Sequence, residues 1–224
     1  MQLKLFDIFS SVIPGALVLC CVFFTSIANQ LQPELIEQKI SIYKDVSAIL
    51  TAVFIVASYL TGYIIHAIGS WIEPILWKTW GGRPSQIILS NNSPRLGLGN
   101  ETNSILNWLK SQSSDSRLTS LENMDLKPED FRHLFQVAKN LALKKGSANF
   151  IKRMEEFNNS YVFSRNILVA FLITFFCASY LAWNKIMVIS FPVLLLFSVI
   201  IVWWRARDRA IYYSREIMAA GYYS

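Results

Sequence analysis

Residues 46–68 read VSAILTAVFIVASYLTGYIIHAI, and none of these 23 residues is Asp, Glu, Lys or Arg. A helix rises about 1.5 Å per residue, so a helix of this length crosses a hydrocarbon core about 30 Å thick. Charged side chains are unfavourable at the bilayer centre, and a run this long without any is unusual in a soluble core. The run therefore predicts a transmembrane helix.

Three further apolar runs of 18 to 21 residues share this composition, at residues 8–28, 166–183 and 186–204. None of them contains an acidic or basic residue. A stretch of 97 residues separates the second run from the third, whereas only Asn184 and Lys185 lie between the third and the fourth. We predict an all-α polytopic membrane protein with four transmembrane helices, arranged as two hairpins around a cytoplasmic helical insert.

The distribution of basic residues predicts which side of the membrane each segment faces. The N-terminal stub, the stretch from Gly69 to Arg165 and the C-terminal tail together hold 18 of the 21 Lys and Arg residues. The opposite side holds only Lys39, Lys44 and Lys185. By the positive-inside rule, both termini and the insert face the cytoplasm. The net charge of +6 needs no nucleic acid to explain it, so we expect no direct nucleic-acid binding.

Composition divides the chain into four segments. The first transmembrane hairpin is placed at residues 1–73 and the insert at residues 74–160. The second hairpin follows at residues 161–204, and a basic, aromatic cytoplasmic tail covers residues 205–224.

A helix with signals at both ends is predicted inside the insert. Pro128 suits a first helical turn, and the two acidic residues after it suit the positive end of the helix dipole. Apolar residues follow at helical spacing, and Lys144, Lys145 and Gly146 mark the end. Ser147 can begin a second helix that continues without a break into the third apolar run. The insert is therefore predicted to be mainly a helical hairpin.

Residue patterns that carry enzymatic chemistry are sparse. No glycine-rich phosphate loop or nucleophile elbow occurs, and His66 and His133 are too far apart in the sequence for a short metal motif. Three cysteines, Cys20, Cys21 and Cys177, fall inside apolar runs and have no metal-binding spacing. We predict no catalytic residues, no metal or cofactor site and no enzymatic activity.

The second apolar run carries a polar stripe along one face of its helix. Projected at about 100° per residue, its members fall within about 40° of one line. Small residues let helices pack closely in lipid, whereas hydroxyl and imidazole groups can line a hydrated pore, and both interpretations stay open. The stripe consists of Thr51, Ser58, Gly62, His66, Gly69 and Glu73.

The first apolar run offers a matching face of small residues, including Ser11, Pro14 and Cys21. Such faces favour close association between helices of different copies. We therefore predict a homo-oligomer that forms through the small faces of the first two runs.

Two groups of basic residues are candidate contact surfaces. Arg132, Lys139 and Lys144 lie at roughly helical spacing and could dock an acidic soluble partner, although a solvated helix surface shows the same pattern. Aromatic and Arg side chains after the fourth run suit the lipid headgroup region. This interfacial group comprises Trp203, Trp204, Arg205, Arg207 and Arg209. Four tyrosines among the last thirteen residues predict a docking surface rather than a free tail.

The order of segments also resembles that of a known family. A Pro-Gly pair in the first run is followed by GYIIHAIGSWIEP, then by WGGRPS, and finally by FNNSYVFSRNILVAF leading into the third run. This order is similar to that of small four-span bacterial membrane proteins of anti-phage loci, the Kiwa membrane subunits KwaA. The resemblance implies a homo-oligomeric inner-membrane protein that senses phage-induced membrane change and recruits a soluble DNA-binding effector through the insert. It carries over no functional residues.

Two functions of different classes follow from these observations. The first is a non-enzymatic sensor and scaffold, whose insert docks a cytoplasmic effector in anti-phage defence. The second is a pore-forming effector, whose polar stripe opens and depolarises the cell. We favour the scaffold, because most of the sequence outside the apolar runs belongs to one insert.

Overall fold

A computed structural model describes residues 5–28, 47–90, 98–120 and 126–223, and no β-strand occurs within these ranges. A single 3-10 turn at Gly99–Glu101 accompanies the α-helices there. The α-helices are α1 (Leu5–Ala28), α2 (Ser47–Thr79), α3 (Pro84–Ser90), α4 (Thr102–Gln112), α5 (Ser116–Ser120), α6 (Pro128–Lys145), α7 (Ala148–Trp183) and α8 (Ser190–Tyr223).

Four of these segments are long and apolar enough to cross a membrane. They are Ile8–Ser26, Ala48–Ser90, Ala148–Trp183 and Ser190–Tyr223, with mean hydropathy between 1.5 and 2.2. For the residues that the structure describes, the prediction of an all-helical fold with four such helices is confirmed. Helices α2, α7 and α8 extend beyond their apolar runs, because helical periodicity continues into the flanking polar sequence.

The chain divides into two compact units. The first unit combines Met1–Trp71 with Val162–Ala206, and the second combines Ile72–Tyr161 with Arg207–Ser224. The composition predicts a separate tail after Trp204. In the structure, Arg207–Ser224 belongs to the same compact unit as Ile72–Tyr161.

Helices α1 and α2 pack at backbone contact within the first unit. A Cβ atom added to Gly15 would lie 1.8 Å from the Ser58 carbonyl oxygen, and one added to Gly62 would lie 1.9 Å from the Ser11 carbonyl oxygen. Only glycine fits at these two positions. This part of the small face of α2 is therefore occupied by α1 of the same chain. The predicted homo-oligomer needs another surface.

A glycine turn connects α2 to α3 in the second unit. Gly81 and Gly82 have φ angles of 89° and 139°, which residues other than glycine rarely adopt. The N–H of Gly82 donates to the Trp77 carbonyl oxygen at 2.9 Å. Pro84 then occupies the first turn of α3, where its missing N–H removes no helical hydrogen bond. The turn redirects the chain so that α3 can join the core of the second unit.

The core of the second unit forms where α3, α4 and α6 meet. Helix α3 packs on α6, α4 packs on both of them, and α5 packs on α4. The predicted hairpin of α6 and α7 therefore accounts for only part of the insert. The buried apolar side chains of these helices include Ile87, Ile88, Leu89, Ile105, Leu106, Leu109, Leu118, Phe131, Leu134, Ala138 and Ala142.

The C-terminal turns of α8 also pack into the second unit. A Cβ added to Gly221 would lie 3.1 Å from the Ala138 carbonyl oxygen, so α8 approaches α6 closely. Burial raises the pKa of the Tyr213 hydroxyl above its usual value of 10.0. The buried, neutral Tyr213 hydroxyl therefore contributes fully to stability below pH 10.0. This contribution is lost as the pH rises through the folded-state pKa, because the hydroxyl then ionises. Aromatic pairs reinforce this packing: Trp108 with Tyr222, Phe135 with Tyr213, and Phe157 with Tyr212.

A buried carboxylate fixes the start of α6. The Lys127 N–H donates to Asp130 Oδ2 at 2.8 Å, and the Arg117 guanidinium donates to Asp130 Oδ1. The Asp130 side chain is 4% exposed and that of Arg117 is 54% exposed. Solvent therefore screens the ion pair on one side, while the hydrogen bond to Lys127 is protected.

We expect Asp130→Ala to lower the free energy of unfolding by about 2 kcal/mol, because it leaves a backbone donor and a guanidinium without their acceptor. Asp130→Asn keeps an acceptor for Lys127 and should lose about half as much. The measurement is thermal unfolding of the solubilised protein, followed by tryptophan fluorescence. Glu129→Ala, at the exposed neighbouring position, is the control. Equal unfolding midpoints for Asp130→Ala and Glu129→Ala would contradict this role.

Candidate functional site

A histidine, an arginine and an asparagine meet inside the first unit, where α2 lies beside α7. Arg165 Nη2 and Asn166 Nδ2 each lie 3.4 Å from His66 Nδ1. Arg165 is only 4% exposed and Asn166 only 1% exposed. A buried arginine is rare, and in a helix that can cross a membrane it is usually functional. These three residues are the polar cluster.

The partners of His66 in the polar cluster determine whether its Nδ1 atom donates or accepts a hydrogen bond. A guanidinium group can only donate, so His66 Nδ1 accepts through its lone pair. The tautomer that makes this contact has no proton on Nδ1. Protonation of Nδ1 would place a second cation beside Arg165 at low local dielectric.

Gly69 on α2 leaves room for the polar cluster, because it has no side chain. A Cβ added there would lie 3.0 Å from Arg165 Nε and 3.2 Å from Asn166 Oδ1. Within the described part of the chain, neither Asn166 Oδ1 nor Ser58 Oγ has a hydrogen-bond partner, and both atoms are buried. Buried polar atoms of this kind ordinarily bind a donor or an ordered water. These two atoms therefore leave hydrogen-bonding capacity unused inside the first unit.

The predicted stripe on α2 does not face a single neighbour. Ser58 and Gly62 contact α1, whereas His66 and Gly69 contact α7. Thr51, at the start of α2, is exposed.

Glu73, the last member of the stripe, belongs to the second unit, where it accepts a hydrogen bond from the Tyr161 hydroxyl. The Trp80 and Tyr161 rings pack edge to face, with centroids 6.5 Å apart. A regular projection of the helix brings six residues onto one line, but tertiary packing divides them among different partners.

The predicted docking residues lie along α6 in the second unit. Arg132 and Lys144 are exposed, and Lys139 is partly buried. A cavity of about 460 Å³ at the start of α6 is lined by Arg132 together with Arg83, Pro128 and Glu129. The Arg83 guanidinium lies 5.0 Å from the centroid of the Trp77 ring, in a cation–π contact that orients it. This end of α6 thus presents two arginines beside one concave surface.

The predicted interfacial group is shared between the two units. Trp203, Trp204 and Arg205 belong to the first unit, where the two indole rings pack edge to face with centroids 5.6 Å apart. Arg207 and Arg209 belong to the second unit and are partly buried. Trp204 and Arg205 are exposed, as a role at the lipid interface requires.

The polar cluster is not predicted from the sequence, because Arg165 is counted there among the basic residues that flank the membrane. The Arg-Asn pair at the start of the third apolar run was the available signal, since two long polar side chains there need partners. Periodicity alone could not pair them with His66. Among the described residues, no group of three or more His, Cys, Asp or Glu side chains could hold a metal ion.

No protein-family model, curated protein or solved structure matches this chain. The resemblance to the Kiwa membrane subunits therefore rests on the order of segments alone and stays a prediction.

Proposed function

We propose that this protein is a non-enzymatic scaffold and sensor of the bacterial inner membrane, which recruits a soluble cytoplasmic effector. One observation carries the proposal: the polar sequence between the apolar runs folds, with the end of α8, into a compact helical unit. A scaffold requires a folded unit outside the membrane with a surface for its partner, whereas a pore or a transporter can lack one. Both termini and the second unit face the cytoplasm in this proposal, as the distribution of basic residues predicts.

The chemistry of the second unit indicates the kind of partner. Its sequence contains fifteen Lys and Arg residues and eleven Asp and Glu residues. The exposed side chains of Arg132 and Lys144 favour an acidic protein surface, and such contacts are sensitive to salt. If the resemblance to anti-phage proteins holds, the partner is a DNA-binding effector, and this protein contributes membrane anchoring and signal detection.

A second candidate function is a pore that depolarises the cell. The observation that favours it is the polar cluster, together with the unsatisfied Ser58 Oγ and Asn166 Oδ1 atoms, because a hydrated path needs polar groups inside the first unit. A scaffold needs no such path. It can use the same residues to hold α2 against α7.

Reporter fusions test the orientation on which the scaffold depends. Alkaline phosphatase should be active when fused after residue 37 and inactive when fused after residues 115 or 224, because this enzyme folds only outside the cytoplasm. A green fluorescent protein should show the reverse pattern. An active phosphatase at residue 115 would exclude a cytoplasmic partner for the second unit and would overturn the proposed function.

A further inference from the structure

Two tyrosines lie on the outer face of α2, away from the contact with α1. Tyr59 is 40% exposed and Tyr63 is 66% exposed. They share one side of the helix, within about 100° of arc, with small or aliphatic residues that are also exposed. This face, the tyrosine face, consists of Ala48, Ala52, Val56, Tyr59, Tyr63, Ala67 and Ser70.

Both tyrosines lie deep in the part of α2 that can cross a membrane. With Trp71 at one membrane interface, Tyr63 lies about 12 Å and Tyr59 about 18 Å inside it, at about 1.5 Å per residue. The opposite end of the run, near Ser47, is about 18 Å from Tyr59 by the same measure. Side chains on a helix tilt toward its N-terminus, which directs Tyr63 away from the nearer interface. Neither hydroxyl can reach the headgroup region.

The two phenolic hydroxyls have no partner within the described chain, since no hydrogen bond joins either of them to another residue there. A hydroxyl group in hydrocarbon without a hydrogen bond is unfavourable, and lipid tails offer neither donors nor acceptors. The hydroxyl of Ser70 on the same face is different, because it donates to the His66 carbonyl oxygen at 3.1 Å. The tyrosines therefore require a polar partner that lies within the membrane.

We propose that the tyrosine face binds the tyrosine face of a second copy of this chain. A two-fold axis along the membrane normal brings residues of equal depth together, so Tyr59 meets Tyr59 and Tyr63 meets Tyr63. Each hydroxyl both donates and accepts, which makes a row of tyrosines complementary to its own copy. Ala48 and Ala52 allow close approach of the two helices toward the outer end of the run.

A second copy fits this face better than a lipid does, because only a protein offers hydroxyl groups at the required depth. It also gives the predicted homo-oligomer a surface that remains open after α1 has covered Ser58 and Gly62. This inference rests on the membrane insertion of α2 but not on the orientation of the chain. Its failure and that of the scaffold proposal are therefore distinguishable.

Disulfide cross-linking in native membranes tests the geometry. In a chain whose Cys20, Cys21 and Cys177 are replaced by Ala, Ala52→Cys should form a covalent dimer on oxidation with copper phenanthroline. Val53→Cys is the matched control, since position 53 is also exposed and lies at the same depth about 100° around the helix. We expect its dimer yield to be at least about fivefold lower, because its sulfur points away from the symmetric contact. Equal yields from the two positions would overturn the proposal.

Removing the hydroxyls tests the chemistry without changing the shape. The double variant Tyr59→Phe with Tyr63→Phe should raise the dissociation constant in phosphatidylethanolamine–phosphatidylglycerol vesicles about tenfold, as expected for two interhelical hydrogen bonds. The measurement is energy transfer between labelled copies during lipid dilution. Tyr180→Phe is the control, because Tyr180 is 53% exposed and lies close to Trp183 at the end of α7, within reach of the interface. An unchanged dissociation constant in the double variant would overturn the proposal.

Discussion

Gly62→Ala should destabilise the folded protein by about 3 kcal/mol, at the upper end of the usual range for overpacking. The added methyl group would lie 1.9 Å from the Ser11 carbonyl oxygen and 2.9 Å from Ser11 Cα. These are backbone atoms, so no side-chain rotation can relieve the overlap and the two helices must separate. Gly15→Ala should have a similar effect, since its methyl group would meet the Ser58 carbonyl oxygen at 1.8 Å. The larger side chain of Gly62→Leu should prevent assembly of α1 with α2.

The measurement is the fraction of protein that stays monodisperse in mild detergent after heating, followed by size-exclusion chromatography. Val53→Leu is the control, because position 53 is exposed on the same helix outside the tyrosine face and can accept a larger apolar side chain. We expect the control to melt like the wild type and both glycine variants to melt at lower temperature. Wild-type melting of Gly15→Ala and Gly62→Ala would contradict the packing of α1 on α2.

Much of the fold follows from local sequence signals. The four apolar runs predict the long helices, because each combines sufficient length with the absence of charge. Helix α6 begins at Pro128 and ends at Lys145 as predicted, because proline suits the first helical turn and basic residues suit the last. Both kinds of signal act within one helix and need no knowledge of its neighbours.

The rest depends on contacts between elements distant in the sequence. In the sequence, Arg165 resembles a cation that flanks the membrane. The structure places α2 beside it, and the missing side chain of Gly69 leaves the room in which Arg165 is buried. The tyrosines of the last turns predict a docking surface, and within the second unit they pack on α4, α6 and α7. Their aromatic partners lie more than fifty residues away in the sequence, beyond the reach of periodicity.

The docking surface on α6 is expected to show the largest functional effect. Replacing Arg132, Lys139 and Lys144 together with Gln should lower recovery of the cytoplasmic partner at least about tenfold, because each change removes a cation that attracts an acidic surface. Recovery by the wild type should fall with added salt. Lys78 and Lys152 are exposed elsewhere in the second unit. Their joint replacement by Gln is the control, and it should leave recovery unchanged.

The pore hypothesis predicts a different sensitive surface. It requires polar groups along α2, so a variant with Ser58→Ala, His66→Leu and Glu73→Leu should lose ion leakage. The scaffold should keep its partner in that variant, provided that size-exclusion chromatography shows an intact chain. Loss of the hydrogen bond from Tyr161 to Glu73 makes this structural check necessary.

The most direct test of the scaffold is to measure membrane potential and partner recovery in the same phage-challenged cells, for the α6 variant and for the α2 variant. The scaffold predicts that the α6 variant loses its partner, while the α2 variant retains the partner and shows the same membrane potential as the wild type. Loss of depolarisation in the α2 variant, with unchanged partner recovery in the α6 variant, would contradict the scaffold and establish the pore.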